Sequence, residues 1–178
     1  MKRVQVKDKA FKIFIESEKI LEAVSKVAES INKDYKGKNP LFIVVLNGAF
    51  MFASDLFKKL NLDCEVSFVK LSSYQGTKST EIVRELIGLD EDIEGRDIVL
   101  VEDIIDTGIT MEKTLNQLHH LNPASIKIAT LLYKPNAFVK DFPIDYIGIE
   151  IPNDFIIGYG LDYDGYARNL ADIYTLEN

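Results

Sequence analysis

Ile98-Val99-Leu100-Val101-Glu102-Asp103-Ile104-Ile105-Asp106-Thr107-Gly108-Ile109-Thr110 is the stretch from which the fold is read. Ile98 to Val101 is apolar and rich in branched side chains, the pattern of a strand buried on both faces in a parallel sheet. The strand is expected to end at two adjacent carboxylates, Glu102 and Asp103, with a third, Asp106, close behind. Thr107-Gly108-Ile109-Thr110 then leads into a helix expected over Met111 to Leu121. In open α/β sheets, ligands collect at the carboxyl ends of strands, and an opening helical turn offers unpaired N–H groups to an anion. Gly108 lets the backbone approach closely, while Thr107 and Thr110 add hydroxyl donors. Acids beside a phosphate cradle suit a phosphorylated sugar: carboxylates take the hydroxyls, backbone amides the phosphate. A plainer reading makes Asp106 or Thr107 an N-cap and Glu102-Asp103 a solvated loop. It accounts for one acid, not for three at the end of a buried strand.

Outward from this centre, Leu41 to Leu46 reads as a second buried parallel strand, with Phe50 to Leu60 as its crossover helix. On residues alone, Asn47-Gly48 between them is an ordinary turn. Cys64 to Leu71 is a further strand, and the polar run Ser72 to Thr80 reads as a mobile loop, with Glu81 to Ile87 as its return arm. Thr77-Lys78-Ser79 is no P-loop, because the glycine before the lysine is missing. Asn122-Pro123 closes the central crossover helix, placing His119 and His120 in its last turn, where histidine suits the helix dipole.

Ser125 to Leu132 forms another strand and delivers Tyr133-Lys134-Pro135 to the ligand-binding edge, although Lys134 alone would pass for a solvated lysine. Asp145 to Ile151 is the next strand. By themselves, Phe155 and Tyr159 look like core aromatics and Asp162 like a turn residue. At the start, Phe11 to Ile15 reads as a strand of a peripheral lobe. Ser17 is expected to cap a helix over Glu18 to Tyr35, with Ile20, Leu21, Val24, Val27, Ala28 and Ile31 on one face. Ala171 to Leu176 closes the chain as a strand beside that lobe.

The 178 residues are 47% hydrophobic and 28% charged, enough for one domain with a sizeable core. No segment approaches the ~18 unbroken apolar residues of a membrane span. The first residues lack the apolar centre of a signal peptide. Cys64 is the one cysteine, which suits a reducing cytoplasm and the role of a small core hydrophobe. A formal net charge of −7 argues against a nucleic-acid footprint. It also sits awkwardly with an anionic sugar phosphate, a conflict that Mg²⁺ eases by binding few carboxylates together with substrate phosphates.

Val101-Glu102-Asp103-Ile104-Ile105-Asp106-Thr107-Gly108 resembles the 5-phosphoribosyl-1-diphosphate (PRPP) signature of the type I phosphoribosyltransferases. With the later segments, the chain is similar to the hypoxanthine–guanine members from Leu46 to near Tyr174. The resemblance implies one α/β domain over residues 1–178, a mainly parallel central sheet flanked by helices. Its core would span about 38–150, and a small hood would come from about 1–16 and 151–178. It implies transfer of phosphoribose from PRPP to a 6-oxopurine, with Mg²⁺ as cofactor and a homodimer or homotetramer as the assembly.

By the same likeness, Asp106 is the catalytic base, and Glu102, Asp103 and Asp106 to Thr110 (Thr107, Gly108 and Ile109 between) hold ribose and 5′-phosphate. Asn47 and Gly48 lie on the diphosphate after a cis Leu46–Asn47 peptide, with Asn47 standing where many relatives carry lysine. Ser73 and Tyr74 belong to a closing lid, and Arg168 meets diphosphate oxygens. Lys134 donates to the purine 6-oxo group, Phe155 stacks on the base, and Ile156 offers it backbone groups. Glu102, Asp103 and Asp162 face the metal. Two rivals share the cradle: a pyrimidine phosphoribosyltransferase, opposed by Lys134 and the Phe155–Asp162 segment, and a PRPP-sensing regulator without turnover. The second would need an output surface, and no basic helix-turn-helix or spare domain is visible.

Overall fold

The computed structural model describes residues 3–75 and 82–177. In chain order the elements are β1 (Arg3–Val6), β2 (Lys9–Ile15), α1 (Ser17–Asp34), β3 (Leu41–Leu46), α2 (Phe50–Phe57), β4 (Glu65–Gln75) and β5 (Ile82–Ile87). They continue with β6 (Asp97–Ile105), α3 (Ile109–His119), β7 (Ser125–Tyr133), β8 (Tyr146–Glu150), β9 (Ile156–Ile157) and β10 (Ile173–Leu176). The central sheet has the order β5-β4-β3-β6-β7-β8, with β5 antiparallel and every other neighbouring pair parallel. This is the α/β architecture that the alternation of apolar runs and helical segments implies.

The unbroken apolar runs of β3 and β6 have a direct cause: each strand is covered on both sides. Phe42, Val44, Val99 and Val101 join the face packed by α1 and α2, through Ile20, Val24 and Ile31 and through Phe52 and Leu56. Leu41, Ile43, Val45, Ile98 and Leu100 join the other, with Met111, Leu115 and Leu118 of α3. Each such buried side chain contributes about 1.5–3 kcal/mol relative to staying in water. Two helix layers thus clamp β3 and β6 side by side and bring their carboxyl ends to one edge.

A second sheet, ordered β1-β2-β10-β9 and antiparallel throughout, joins strands from the two ends of the chain. Phe11, Ile157 and Tyr174 are its small core. Asp172 ties it to the main body, since its Oδ1 accepts the Ser17 N–H at 2.8 Å at the first turn of α1.

Several boundaries differ from the sequence expectation. Strand β6 does not stop at Glu102 but runs to Ile105, because β7 continues beside it and pairs Ile104 with Leu132 and Ile105 with Tyr133. Helix α3 begins at Ile109, two residues early, with Gly108 at its N-cap in the left-handed region (φ 81°) and no side-chain cap. Neither Asp106 nor Thr107 caps it. Ser17 is likewise no cap: Glu16 precedes α1 without a side-chain bond, and Asp172 supplies the acceptor from far along the chain. Ser73 and Tyr74, expected in a loop, lie in β4, whose backbone groups are taken up by antiparallel pairing with β5 (Ser73 opposite Arg84, Tyr74 opposite Val83). Thr77, Lys78 and Ser79 lie outside the described residues. Strand β1 went unrecognised because its Arg3-Val4-Gln5-Val6 alternation is too short to stand out. No described helix is long and apolar enough to cross a membrane.

Candidate active site

The carboxyl ends of β3 and β6 open into a cleft of about 380 Å³, lined by Leu46, Gly48, Glu102, Asp103, Asp106, Thr107, Gly108, Thr110, Asp162 and Arg168 among others. Residues separated by more than a hundred positions in the chain therefore face one space. The Leu46–Asn47 peptide is cis, as the resemblance implied.

Glu102 and Asp103 stand on the floor, half-buried. Glu102 Oε1 accepts the Asp103 N–H at 3.1 Å, and Asp103 Oδ1 accepts the Ile104 N–H at 2.8 Å. Burial, then the charge of Asp103, holds the Glu102 carboxyl well above the usual carboxylate range. Burial also pushes the Asp103 carboxyl up, against hydrogen bonds and the Arg168 charge, which pull it down. Gly48 packs directly on Asp103: a Cβ built there would lie 1.6 Å from Oδ2, so any larger residue would push the carboxylate aside. The expected loop glycine is thus also a spacer for the second acid.

Arg168 and Asp162, assigned separate tasks by the resemblance, form a pair, with Nη2 2.6 Å from Oδ1. Nη1 of Arg168 donates to the Gly160 carbonyl at 2.7 Å, and Asp162 Oδ2 accepts the Gly165 N–H at 2.7 Å. Both ends of this pair are therefore fixed by backbone.

At the start of α3 Gly108 holds the N-cap without a side-chain cap bond, and the Thr107 hydroxyl accepts weakly from Ile109 N–H at 3.4 Å. A helix N-terminus without a cap carries partial positive charge and donors aimed at an anion. Gly108 is required twice over, by its positive φ and because a Cβ would lie 2.6 Å from the Phe138 ring.

Lys134 is not the solvated lysine that its residue type suggests. It is 7% exposed, and its Nζ lies 3.1 Å from Asp106 Oδ2. The strand extension explains the meeting: Ile105 ends β6 beside the end of β7, and its carbonyl accepts the Lys134 N–H at 3.0 Å.

Lys134, Phe155 and Ile156 are not among the residues that line this cleft. Phe155 is 48% exposed, with its ring 6.0 Å from that of Tyr163 and 6.3 Å from that of Phe11. Ile156 is buried in β9. Asn47 and Ile109 flank the cleft residues without lining it. The core-aromatic reading holds for Tyr159, at 3% exposed, and fails for Phe155. Burial pushes the Cys64 thiol up, which agrees with a packing role, since nucleophilic thiols are depressed.

Among the described residues, no three His, Cys, Asp or Glu side chains group as a metal cage. The donor set that is present, two adjacent acids whose charge is disfavoured by burial, fits a cation held through few carboxylates and completed by water and ligand phosphates, as Mg²⁺ is. Reading the residues missed that Lys134 meets Asp106, that Arg168 meets Asp162, and that Tyr159 bonds Asp55 (2.7 Å). The glycines on either side of Tyr159 were the available signal for an unusual backbone there.

A parallel sheet with acids and a glycine-led helix at its carboxyl edge has the layout of a phosphate-binding α/β site. The chain belongs to the phosphoribosyl transferase domain family, whose profile matches residues 14–164. It is 41% identical over 172 residues to the hypoxanthine-guanine phosphoribosyltransferase of Lactococcus lactis, covering 96% of this chain and 93% of that one. With the Mycobacterium bovis protein of the same name it shares 40% over 172 residues, covering 93% and 85%. Among solved structures, a hypoxanthine-guanine phosphoribosyltransferase from Bacillus anthracis superposes with a TM-score of 0.85 at 34% identity, over 93% of this chain and 98% of that chain. The hypoxanthine phosphoribosyltransferase of Trypanosoma cruzi gives 0.82 at 38%, over 93% and 96%.

Proposed function

We propose that this protein transfers the 5-phosphoribosyl group of PRPP to N9 of hypoxanthine or guanine, releasing diphosphate and the nucleoside 5′-monophosphate in purine salvage. The contact between Lys134 and Asp106, at 3.1 Å beside the open start of α3, carries the reading. On a 6-oxopurine, O6 and N7 are neighbours along one edge. An ammonium only donates and so takes O6; a carboxylate only accepts and so takes N7–H. In the structure the two groups satisfy each other, and a 6-oxopurine would replace that contact at both ends. Adenine would set an amino group against the ammonium and leave the buried Lys134 without an acceptor, a strong ground for rejection.

In the reaction, the C1′–O bond breaks with its electron pair leaving on diphosphate, and N9 forms the new bond to C1′. Asp106 takes the N7 proton, or hydrogen-bonds it, as charge develops on the ring. Glu102 and Asp103 bind the ribose hydroxyls, and the backbone from Asp106 through Thr107, Gly108 and Ile109 to Thr110 holds the 5′-phosphate. Asn47, Gly48 and Arg168 face the diphosphate, with Arg168 as a forked donor. Phe155 stacks on the base, and Ile156 presents backbone groups to its edge. Ser73 and Tyr74 belong to a lid that excludes water from the reacting sugar. Glu102 and Asp103, with Asp162 through water, would hold Mg²⁺, which when bound offsets the charge on the leaving diphosphate. Most of the catalysis then lies in positioning and charge compensation.

The same proposal takes residues 1–178 as one catalytic domain with the antiparallel sheet as its hood, acting in the cytoplasm as a homo-oligomer. Nucleotide formation from PRPP and Mg²⁺ with hypoxanthine, guanine, xanthine, adenine and uracil in parallel tests it. Turnover confined to 6-oxopurines is expected. Turnover with uracil alone would transfer the assignment to pyrimidines, and PRPP binding without turnover on any base would make the protein a sensor.

A further inference from the structure

We infer that the Tyr159–Asp55 pair is a positioning device that locks the Gly158–Arg168 segment onto the Gly48 loop and thereby sets the affinity of the cleft for PRPP. Gly158, Tyr159 and Gly160 all have positive φ (96°, 48° and 97°), a conformation that a bulky residue such as Tyr159 rarely adopts. The glycines are needed for contact as well: a Cβ on Gly158 would lie 2.2 Å from the Asp172 carbonyl oxygen, and one on Gly160 2.1 Å from that of Gly48. The backbone of this turn is thus laid directly on the loop that precedes α2.

What holds a tyrosine in that conformation is its side chain. Tyr159 is 3% exposed, and its hydroxyl donates to Asp55 Oδ2 at 2.7 Å on α2, the helix that begins just beyond Gly48. Asp55 is braced in turn by Lys58 at 2.9 Å. On the other side, the Tyr159 N–H donates to Leu170 O at 2.8 Å and the Gly160 N–H to Arg168 O at 2.9 Å, while Arg168 Nη1 returns to Gly160 O. One part-buried hydrogen bond therefore links α2 and its preceding loop to the residue pair Arg168–Asp162. Neither Tyr159 nor Asp55 lines the cleft. Both act through Gly48 and Arg168, so the inference rests on reading those two as the diphosphate-facing side.

Tyr159→Phe keeps the ring and removes the bond. It should raise the KM for PRPP about tenfold, the factor expected for one hydrogen bond to a charged group, while the KM for hypoxanthine changes less than about twofold. Asp55→Ala should do the same, and Asp55→Asn, whose amide oxygen still accepts, should restore most of the lost affinity. Amide hydrogen exchange in full-length Tyr159→Phe should accelerate together in residues 48–51 and 158–168, a readout that needs no substrate. A lower Tm with unchanged KM for PRPP and unchanged exchange at 48–51 would reduce the pair to an ordinary core contact. Should Tyr159→Phe fail to fold, the contrast between Asp55→Ala and Asp55→Asn decides. Absence of turnover in the unaltered protein would overturn the proposed reaction, and the exchange experiment would still judge the coupling.

Discussion

The β6–α3 junction and the Gly158–Arg168 segment serve the same cleft, but they are built in opposite ways. The junction is local: Glu102 and Asp103 lie at the end of β6, and Asp106 and Gly108 in the short turn that joins it to α3. The segment is assembled from outside. Its conformation depends on Gly48 and Asp55, both remote in the chain, and on Asp172 just beyond its own end. A local turn is suited to chemistry, where the group must keep one geometry. A tethered segment is suited to affinity, since its tether adjusts contacts without touching the reacting atoms.

That division makes the variants differ in kind. Asp106→Asn, within the local turn, should have the largest effect: turnover falling about 10²–10⁴-fold, as for loss of a general base, with PRPP affinity changed far less. Steady-state kinetics with direct PRPP titration separates the two, and equal losses in both would remove Asp106 from the base role. Lys134→Ala comes next. It should weaken hypoxanthine binding about 10–100-fold, the range for a charge-assisted hydrogen bond, and narrow the discrimination against adenine. An unchanged substrate profile would leave the lysine with a structural task only.

Gly48→Ala lies at the border of the two regions. The new methyl must displace Asp103, so PRPP affinity and turnover should both fall, with a stability loss of about 1–3 kcal/mol visible as a lower urea midpoint. The smallest effect concerns Asp55. Burial pushes its carboxyl up, but the Tyr159 hydroxyl and the Lys58 ammonium outweigh this and hold it below its ordinary value of 3.8. A carboxylate depressed in the folded state adds stability above pH 3.8 and loses it as pH falls through the lower, folded value. The urea midpoints of the unaltered protein and Tyr159→Phe should therefore differ at neutral pH and converge in acid. A gap independent of pH would mean that the hydroxyl contributes through packing alone.

Much of this architecture is legible without coordinates. The runs Leu41–Leu46 and Ile98–Val101 read as buried parallel strands because burial on both faces leaves no polar alternation. Reading the residues also placed three acids and a glycine at the sheet edge. It erred where neighbouring strands intervene: β6 passes its carboxylates because β7 pairs it to the end, and β4 continues through Ser73 and Tyr74 because β5 does the same. Propensity and composition describe a segment alone, whereas a strand ends where its partner does.

The roles of single polar residues divide along the same line. Asp106 and Gly108 announce themselves through position within one turn, since backbone dihedrals and the open first amides of a helix are local physics. Lys134 looks solvated and Asp162 looks like a turn residue until packing brings the one to Asp106 and the other to Arg168. Ser17 looks like a cap until Asp172 arrives from the other end of the chain. Tyr159 looks like any core aromatic until its hydroxyl is seen on Asp55. Ser17–Asp172 and Tyr159–Asp55 join residues more than a hundred positions apart, Lys134–Asp106 joins the ends of two neighbouring strands, and Asp162–Arg168 closes a short turn. The amino-acid order states which groups are available and which backbone turns are open to them; the packed core decides which of them meet.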